Sequence, residues 1–283
     1  MHISKIGEIR IFIHREIEGK VKNLIIKRDV DRWFAIFVCE IKDNVNKINE
    51  IVNNVNSFNS LTKTGKRIGI DVGLKSLLTL SNGYKIEPPK FFRKSEDKLA
   101  WEQRKLSRKK KGSNNRNKQR IKVGKVHRLI RNQRLDFAQK LSTKLVRTFD
   151  EIVFEDLQIK NMMRNHNLAK SIADAGWSLL IRLSHYKAEW ASKIVRLVNP
   201  NKTSQTCICG ASVPKDLSVR AHKCPECGLV MDRDRMSAIL ISRRPSKIKI
   251  EKERPAKHVD AKKAKIVKES IGIRQMNIDD AWG

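Results

Sequence analysis

Between Arg67 and Gly73 the chain alternates apolar side chains with glycine and a single acid: Arg67-Ile68-Gly69-Ile70-Asp71-Val72-Gly73. Such alternation fits a β-strand, whose successive side chains point to opposite faces. Ile68, Ile70 and Val72 then share one face, and Gly69, Asp71 and Gly73 share the other. Asp71 stands between two residues without side chains, so a phosphate backbone and its cations can come close to it. A turn aspartate beside a glycine is the competing reading. Two further acidic motifs lie far downstream, Val153-Phe154-Glu155-Asp156-Leu157 and Asp232-Arg233-Asp234. Burying a carboxylate is costly unless something compensates it, and a shared pair of divalent cations would compensate all three. Singly, each motif is weak. Glu155 or Asp156 fits a strand end leading into a loop, and Asp232 or Asp234 fits a helix N-cap.

Charge narrows the partner. The 283 residues hold 61 Lys and Arg against 30 Asp and Glu, a formal charge of +31. That excess predicts a polyanionic partner, because each neutralised phosphate releases counterions. An anionic membrane surface is the alternative. No apolar run approaches the ~18 residues a spanning helix needs, and the N-terminus lacks a signal-peptide core. Nucleic acid is therefore the expected partner. Four of the five cysteines fall between positions 207 and 227. With no export signal, that clustering points to a metal rather than disulfides and to a reducing cytosol. Cys39 stands alone in an apolar run and reads as a buried small hydrophobe.

Along the chain, residues 1 to about 42 alternate as strands, with Ile9, Ile11 and Ile13 and later Trp33, Ala35, Phe37 and Cys39. They predict a small antiparallel sheet or half a barrel. Residues 43–65 are Asn-rich and read as a linker. Short strands follow from Arg67 to Ile86, turning at Ser81-Asn82-Gly83 and closed by Pro88-Pro89. Helical spacing runs over 94–149, broken at Gly112-Ser113-Asn114-Asn115. Between Gln103 and Leu135 it carries 14 Lys or Arg and no acid. A solvated hairpin is the plain reading, yet so one-sided a block repels itself and is best tolerated against phosphates. Ile152–Phe154 and Ile194–Val198 read as strands. A helix over 168–192 carries Trp177, Leu180, Leu183, Tyr186 and Trp190 on one stripe, read as core packing rather than base stacking. A last helix starts near Asp234, and the charged stretch from Arg243 onward reads as a disordered basic tail.

Taken in order, these motifs resemble the TnpB (OrfB) family of transposon-encoded RNA-guided nucleases, relatives of type V CRISPR effectors. The resemblance rests on Gly69-Ile70-Asp71-Val72-Gly73, on Phe154-Glu155-Asp156-Leu157 with Lys160-Asn161-Met162-Met163, and on Ala188-Glu189-Trp190. It continues through Thr203-Ser204-Gln205-Thr206-Cys207 to Cys224-Pro225-Glu226-Cys227-Gly228 and Asp232-Arg233-Asp234. It covers roughly residues 1–242.

The resemblance implies an α/β fold: an RNase H-like RuvC nuclease domain over 67–204 and 229–243, interrupted by a zinc ribbon over 205–228. A partial wedge β-barrel and linker would occupy 1–66, and the basic hairpin 94–149 would lie within the nuclease part. The implied catalytic carboxylates are Asp71, Glu155 and Asp234, holding two Mg²⁺ ions about 3.5–4 Å apart, with Asp232 as a helix cap or a group that supports the metal ligands from behind. Cys207, Cys209, Cys224 and Cys227 would hold a structural Zn²⁺. Guide RNA and target DNA are the implied partners, gripped through Arg104, Lys109, Lys110, Arg116, Arg120 and Arg131, and the location is a prokaryotic cytoplasm near the nucleoid. A non-cutting nucleic-acid-binding remnant and a strand-joining transposase are the other functions the motifs allow. Three features depart from the family pattern. Met236 and Ser237 follow Asp234 where an Asn and a small residue are usual, and Cys207-Ile208-Cys209 is one residue short of the usual knuckle, with His222 as a substitute ligand. The start inside the wedge barrel predicts an N-terminally truncated family member.

Overall fold

The computed structural model of the chain describes residues 2–3, 7–14, 16–40, 64–201, 203–216 and 219–245. It opens with a two-residue ladder of β1 (His2–Ile3) and β2 (Gly7–Glu8), then an antiparallel hairpin of β3 (Lys20–Asp29) and β4 (Arg32–Glu40). Trp33 to Cys39 form a strand as expected, although Cys39 is half-buried rather than buried. Ile9, Ile11 and Ile13 do not: they lie in irregular chain, with Phe12 88% exposed. Alternation makes a strand only where a neighbour supplies a continuous ladder of hydrogen bonds, and these positions belong to no strand. The expected half-barrel is represented, among those residues, by this hairpin and the short ladder.

Beyond the hairpin come β5 (Arg67–Val72), β6 (Leu78–Leu80) and β7 (Lys85–Ile86), then α1 (Phe91–Ser107) and α2 (Asn114–Thr148). They are followed by β8 (Glu151–Glu155), α3 (Ile159–Met162), α4 (His166–Ala175), α5 (Trp177–Trp190) and β9 (Ile194–Val198). Last are β10 (Ala221–Lys223), β11 (Val230–Asp232) and α6 (Arg233–Arg243). The expected linker falls mostly within 41–63 and the expected tail mostly within 246–283, outside the described residues.

The described residues divide into two compact units. One holds β1–β4 and residues 102–128; the other holds 64–101 and 129–245. In the first, Gly124 of α2 meets the β3–β4 turn, where a Cβ would come within 2.8 Å of Val30 Cγ1. Asp31 of that turn accepts from Lys125 at 2.7 Å and Arg128 at 2.8 Å. In the same unit Arg116 Nη1 donates to the main-chain oxygens of Leu106 at 2.8 Å and Lys109 at 3.1 Å. It thereby satisfies carbonyls that the end of α1 leaves without helical partners.

The second unit is built on a five-stranded sheet in the order β7-β6-β5-β8-β9. The β7, β6 and β5 strands are antiparallel neighbours, whereas β5, β8 and β9 run parallel. Register sorts its side chains. Ile68, Ile70, Val72, Leu78, Leu80, Ile152, Phe154 and Val195 lie on one face and bury against Leu141, Leu145, Val146, Ile172, Trp177 and Leu180 of α2, α4 and α5. Of the α5 stripe, Trp177, Leu180 and Leu183 are buried, while Tyr186 and Trp190 are half-buried and form a T-shaped pair at 5.2 Å. The helix expected over 168–192 is two helices, because Gly176 ends α4 in the left-handed region at φ 66°.

The opposite face carries Gly69, Asp71, Val153, Glu155 and Val198, and α6 lies across it. A Cβ at Gly69 would meet Ala238 O at 2.0 Å and Ser242 N at 2.5 Å, so the helix backbone rests directly on the bare strand. Ile241 packs with Val153 and Val198. No helix of the described residues is long and apolar enough to cross a membrane.

Candidate functional site

Asp71 and Glu155 come together because β5 and β8 are parallel and in register. Ile70 pairs with Phe154, so the next residue on each strand, Asp71 and Glu155, is its neighbour's counterpart on the α6 face. Adjacent strands lie about 4.8 Å apart. Asp234 comes from α6, where it precedes Ala238 by one turn, while Asp71 follows Gly69 by two residues on the strand beneath. One helical turn rises about 5.4 Å and two strand residues about 6.6 Å, so the two steps match. The glycine that lets α6 approach therefore also sets where its acid stands.

The electrostatics agree. Burial foremost, then the Glu155 and Asp234 charges acting the same way against Arg233, together raise the Asp71 carboxyl to about 8. Burial also raises Glu155, opposed by a hydrogen bond from Thr203 Oγ1 to its Oε1 and by the Arg244 charge. Glu155 is 7% exposed. Acids crowded together in this way favour either a proton or a cation between them. Asp234 Oδ1 lies 3.3 Å from both Nε and Nη2 of Arg233. Asp232 takes the cap role, accepting from Arg235 N at 3.0 Å and from Lys85 Nζ at 2.8 Å.

The four clustered cysteines converge as well. Their sulfurs all lie within 4.8 Å of one another, with Cys207–Cys227 and Cys209–Cys224 each at 3.6 Å. Tetrahedral zinc with Zn–S bonds of about 2.3 Å would separate its sulfurs by about 3.8 Å. The short Cys207-Ile208-Cys209 step therefore still delivers both thiols. His222 is not among the converging groups. Its Nδ1 meets Lys215 Nζ, and its Nε2 is buried without a partner.

The basic residues separate by environment. Arg104, Lys109, Lys110, Arg120 and Arg131 are exposed, whereas Arg116 is half-buried with Nη1 engaged at the end of α1. Arg134 is likewise held, donating to Asp174 at 2.8 Å. Sequence reasoning gave no role to Thr203, Arg233 or Arg220. Thr203 meets Glu155 48 residues away, Arg233 reaches the Val219 carbonyl 14 residues away as well as the adjacent Asp234, and Arg220 faces Asp234 on α6, contacts that only the fold brings together.

Two family profiles match the chain. One is described as "Probable transposase" (OrfB_IS605) over residues 37–166, the other as "Cas12f1-like, TNB domain" over 177–241. A Streptomyces pristinaespiralis protein named "Putative RNA-guided DNA endonuclease" is 39% identical over 74% of this chain and 49% of its own length. InsQ of Escherichia coli K12, under the same description, is 32% identical over 78% of this chain and 56% of its own length. The chain thus spans about half the length of the curated relatives it matches. Among solved structures, a Cas12f1–sgRNA–target DNA complex aligns at a TM-score of 0.45 and 20% identity, over 77% of this chain and 55% of that one.

Proposed function

Because the chain belongs to the TnpB (OrfB) family, we propose that it is a transposon-associated, RNA-guided DNA endonuclease that hydrolyses phosphodiesters at Asp71, Glu155 and Asp234. One observation carries the reading: Asp71 and Glu155 on the sheet face opposite the main core lie beneath the helix that carries Asp234, and burial together with the two neighbouring charges raises Asp71. On this reading residues 67–204 and 229–243 form an RNase H-like RuvC domain, 205–228 a zinc ribbon, and 1–66 part of a wedge domain. Carboxylate oxygens with no histidine suit Mg²⁺, and four thiolates suit Zn²⁺. Two Mg²⁺ ions there would supply an activated water and charge stabilisation at the leaving oxygen.

The chain's own groups do the rest. Asp71 and Glu155 present carboxylates from adjacent parallel strands, and Thr203 orients Glu155 through its hydroxyl. Exposed Arg104, Lys109, Lys110, Arg120 and Arg131 offer cations to the backbone of a guide–target duplex, which is read by pairing rather than by the protein. Arg116 adds its remaining donors at the hairpin turn.

The test is cleavage of a matched DNA target by purified protein, its transposon-end RNA and Mg²⁺. Cutting that Asp71→Ala abolishes supports the proposal. A target bound but left intact, under conditions where a longer relative cuts, would assign nucleic-acid binding without cleavage.

A further inference from the structure

Arg233 lies between the cap Asp232 and Asp234, and its side chain reaches in two directions. Nη1 donates to the main-chain oxygens of Val219 at 3.0 Å and Asp216 at 3.5 Å. Nε and Nη2 both face Asp234 Oδ1 at 3.3 Å. The Arg233 main-chain N–H donates to Arg220 O at 2.8 Å, and Arg220 Nη1 stands 3.9 Å from Asp234 Oδ2. The loop that receives these bonds runs straight into β10, which leads to Cys224, while β11, paired with β10, ends at Asp232. Ala221 is registered opposite Asp232. The hairpin that carries two of the four thiols is therefore tied, through a side chain 12% exposed, to one oxygen of the third acid.

We infer that Arg233 is a positioning residue, fixing Asp234 for a divalent cation and making that fixing depend on the folded cysteine hairpin. The inference rests on the carboxylate reading above. Holding Oδ1 from one side sets the carboxylate rotamer, and Oδ2, with only the more distant Arg220 Nη1 at 3.9 Å, is the oxygen a cation would take. The planar fork of arginine can serve loop carbonyls and a carboxylate at once, which a lysine ammonium of equal charge cannot do in the same geometry. Groups that orient metal ligands typically matter by about 10–100-fold in metal affinity.

Mn²⁺ binding to the full-length chain, read as loss of the free-ion EPR signal, tests it without requiring cleavage. Arg233→Lys is expected to weaken Mn²⁺ binding about tenfold or more while the melting temperature holds. Cys224→Ser, which dismantles the cysteine site, is expected to weaken it similarly, and the double variant no further than either single one. Arg233→Gln serves where the lysine variant fails to fold. Wild-type Mn²⁺ affinity in folded Arg233→Lys or Arg233→Gln, or in Cys224→Ser, overturns the inference while Asp71→Asn still loses binding. If Asp71→Asn also binds as wild type, the carboxylate reading falls and this inference falls with it.

Discussion

Lys187 is buried between α2 and α5, donating to Gln139 O, Ser142 Oγ and Thr143 Oγ1, each at 2.8 Å, and none of these carries charge. Burial alone pulls its ammonium down to about 8 from 10.5. Below pH 8 both folded and unfolded chains carry that proton; between 8 and 10.5 only the unfolded chain does. Stability should therefore rise with pH across that window, by at most ~3 kcal/mol. Lys187→Met should remove the rise and gain stability near neutrality, seen as the difference between the two proteins' urea midpoints at pH 7.5 and 10. Nothing in the sequence marks this lysine, because its cost comes from neighbours on another helix. Asp71 and Glu155 stood out in the sequence for the opposite reason, since an acid on an apolar strand is anomalous wherever it appears, whereas Asp234, at a helix start, was singled out by the family resemblance alone. Asp71→Asn should leave the fold intact and reduce cleavage to background, measured by gel assay beside a circular-dichroism melt.

Elements read well where two independent signals agreed. The β5 strand had alternation and flanking glycines, and β6–β7 had Ser81-Asn82-Gly83, with Gly83 at φ 92° as such a turn requires. Ile9 to Ile13 had alternation only, and they belong to no strand. The close seat of α6 on Gly69 could not be foreseen, since a glycine flanking an acid suggests room for a ligand as readily as room for a helix. It is testable at this scale. Gly69→Ala forces a methyl into the helix backbone, so α6 must lift; a loss of about 1–3 kcal/mol follows from overpacking. Cleavage should fall more steeply than stability, because Asp234 moves with the helix. Equal stability of the variant in urea would refute the contact. Chelating the zinc proposed at the four cysteines should raise amide exchange in β10 and β11 and leave β5 and β8 protected.

For the whole molecule, charge points to a polyanionic partner but not to which cations would face it. Lys125 and Arg128 pair with Asp31, and Arg134 with Asp174, so part of the basic block holds the protein together. Five exposed residues, Arg104, Lys109, Lys110, Arg120 and Arg131, remain as candidates. Five phosphate contacts predict that log K falls with log salt at a slope near −4. Replacing Lys109 and Lys110 by alanine should flatten that slope by about 2, and an unchanged slope would remove the hairpin turn from the binding surface.

The sheet keeps its larger greasy cluster on one side, and on the other its acids sit beside a much smaller one under α6. A lineage could therefore lose any of those acids and still produce a well-folded, strongly cationic protein. Silent copies of such an element would persist as intact scaffolds, distinguishable from working ones by a single side chain rather than by how well they hold together.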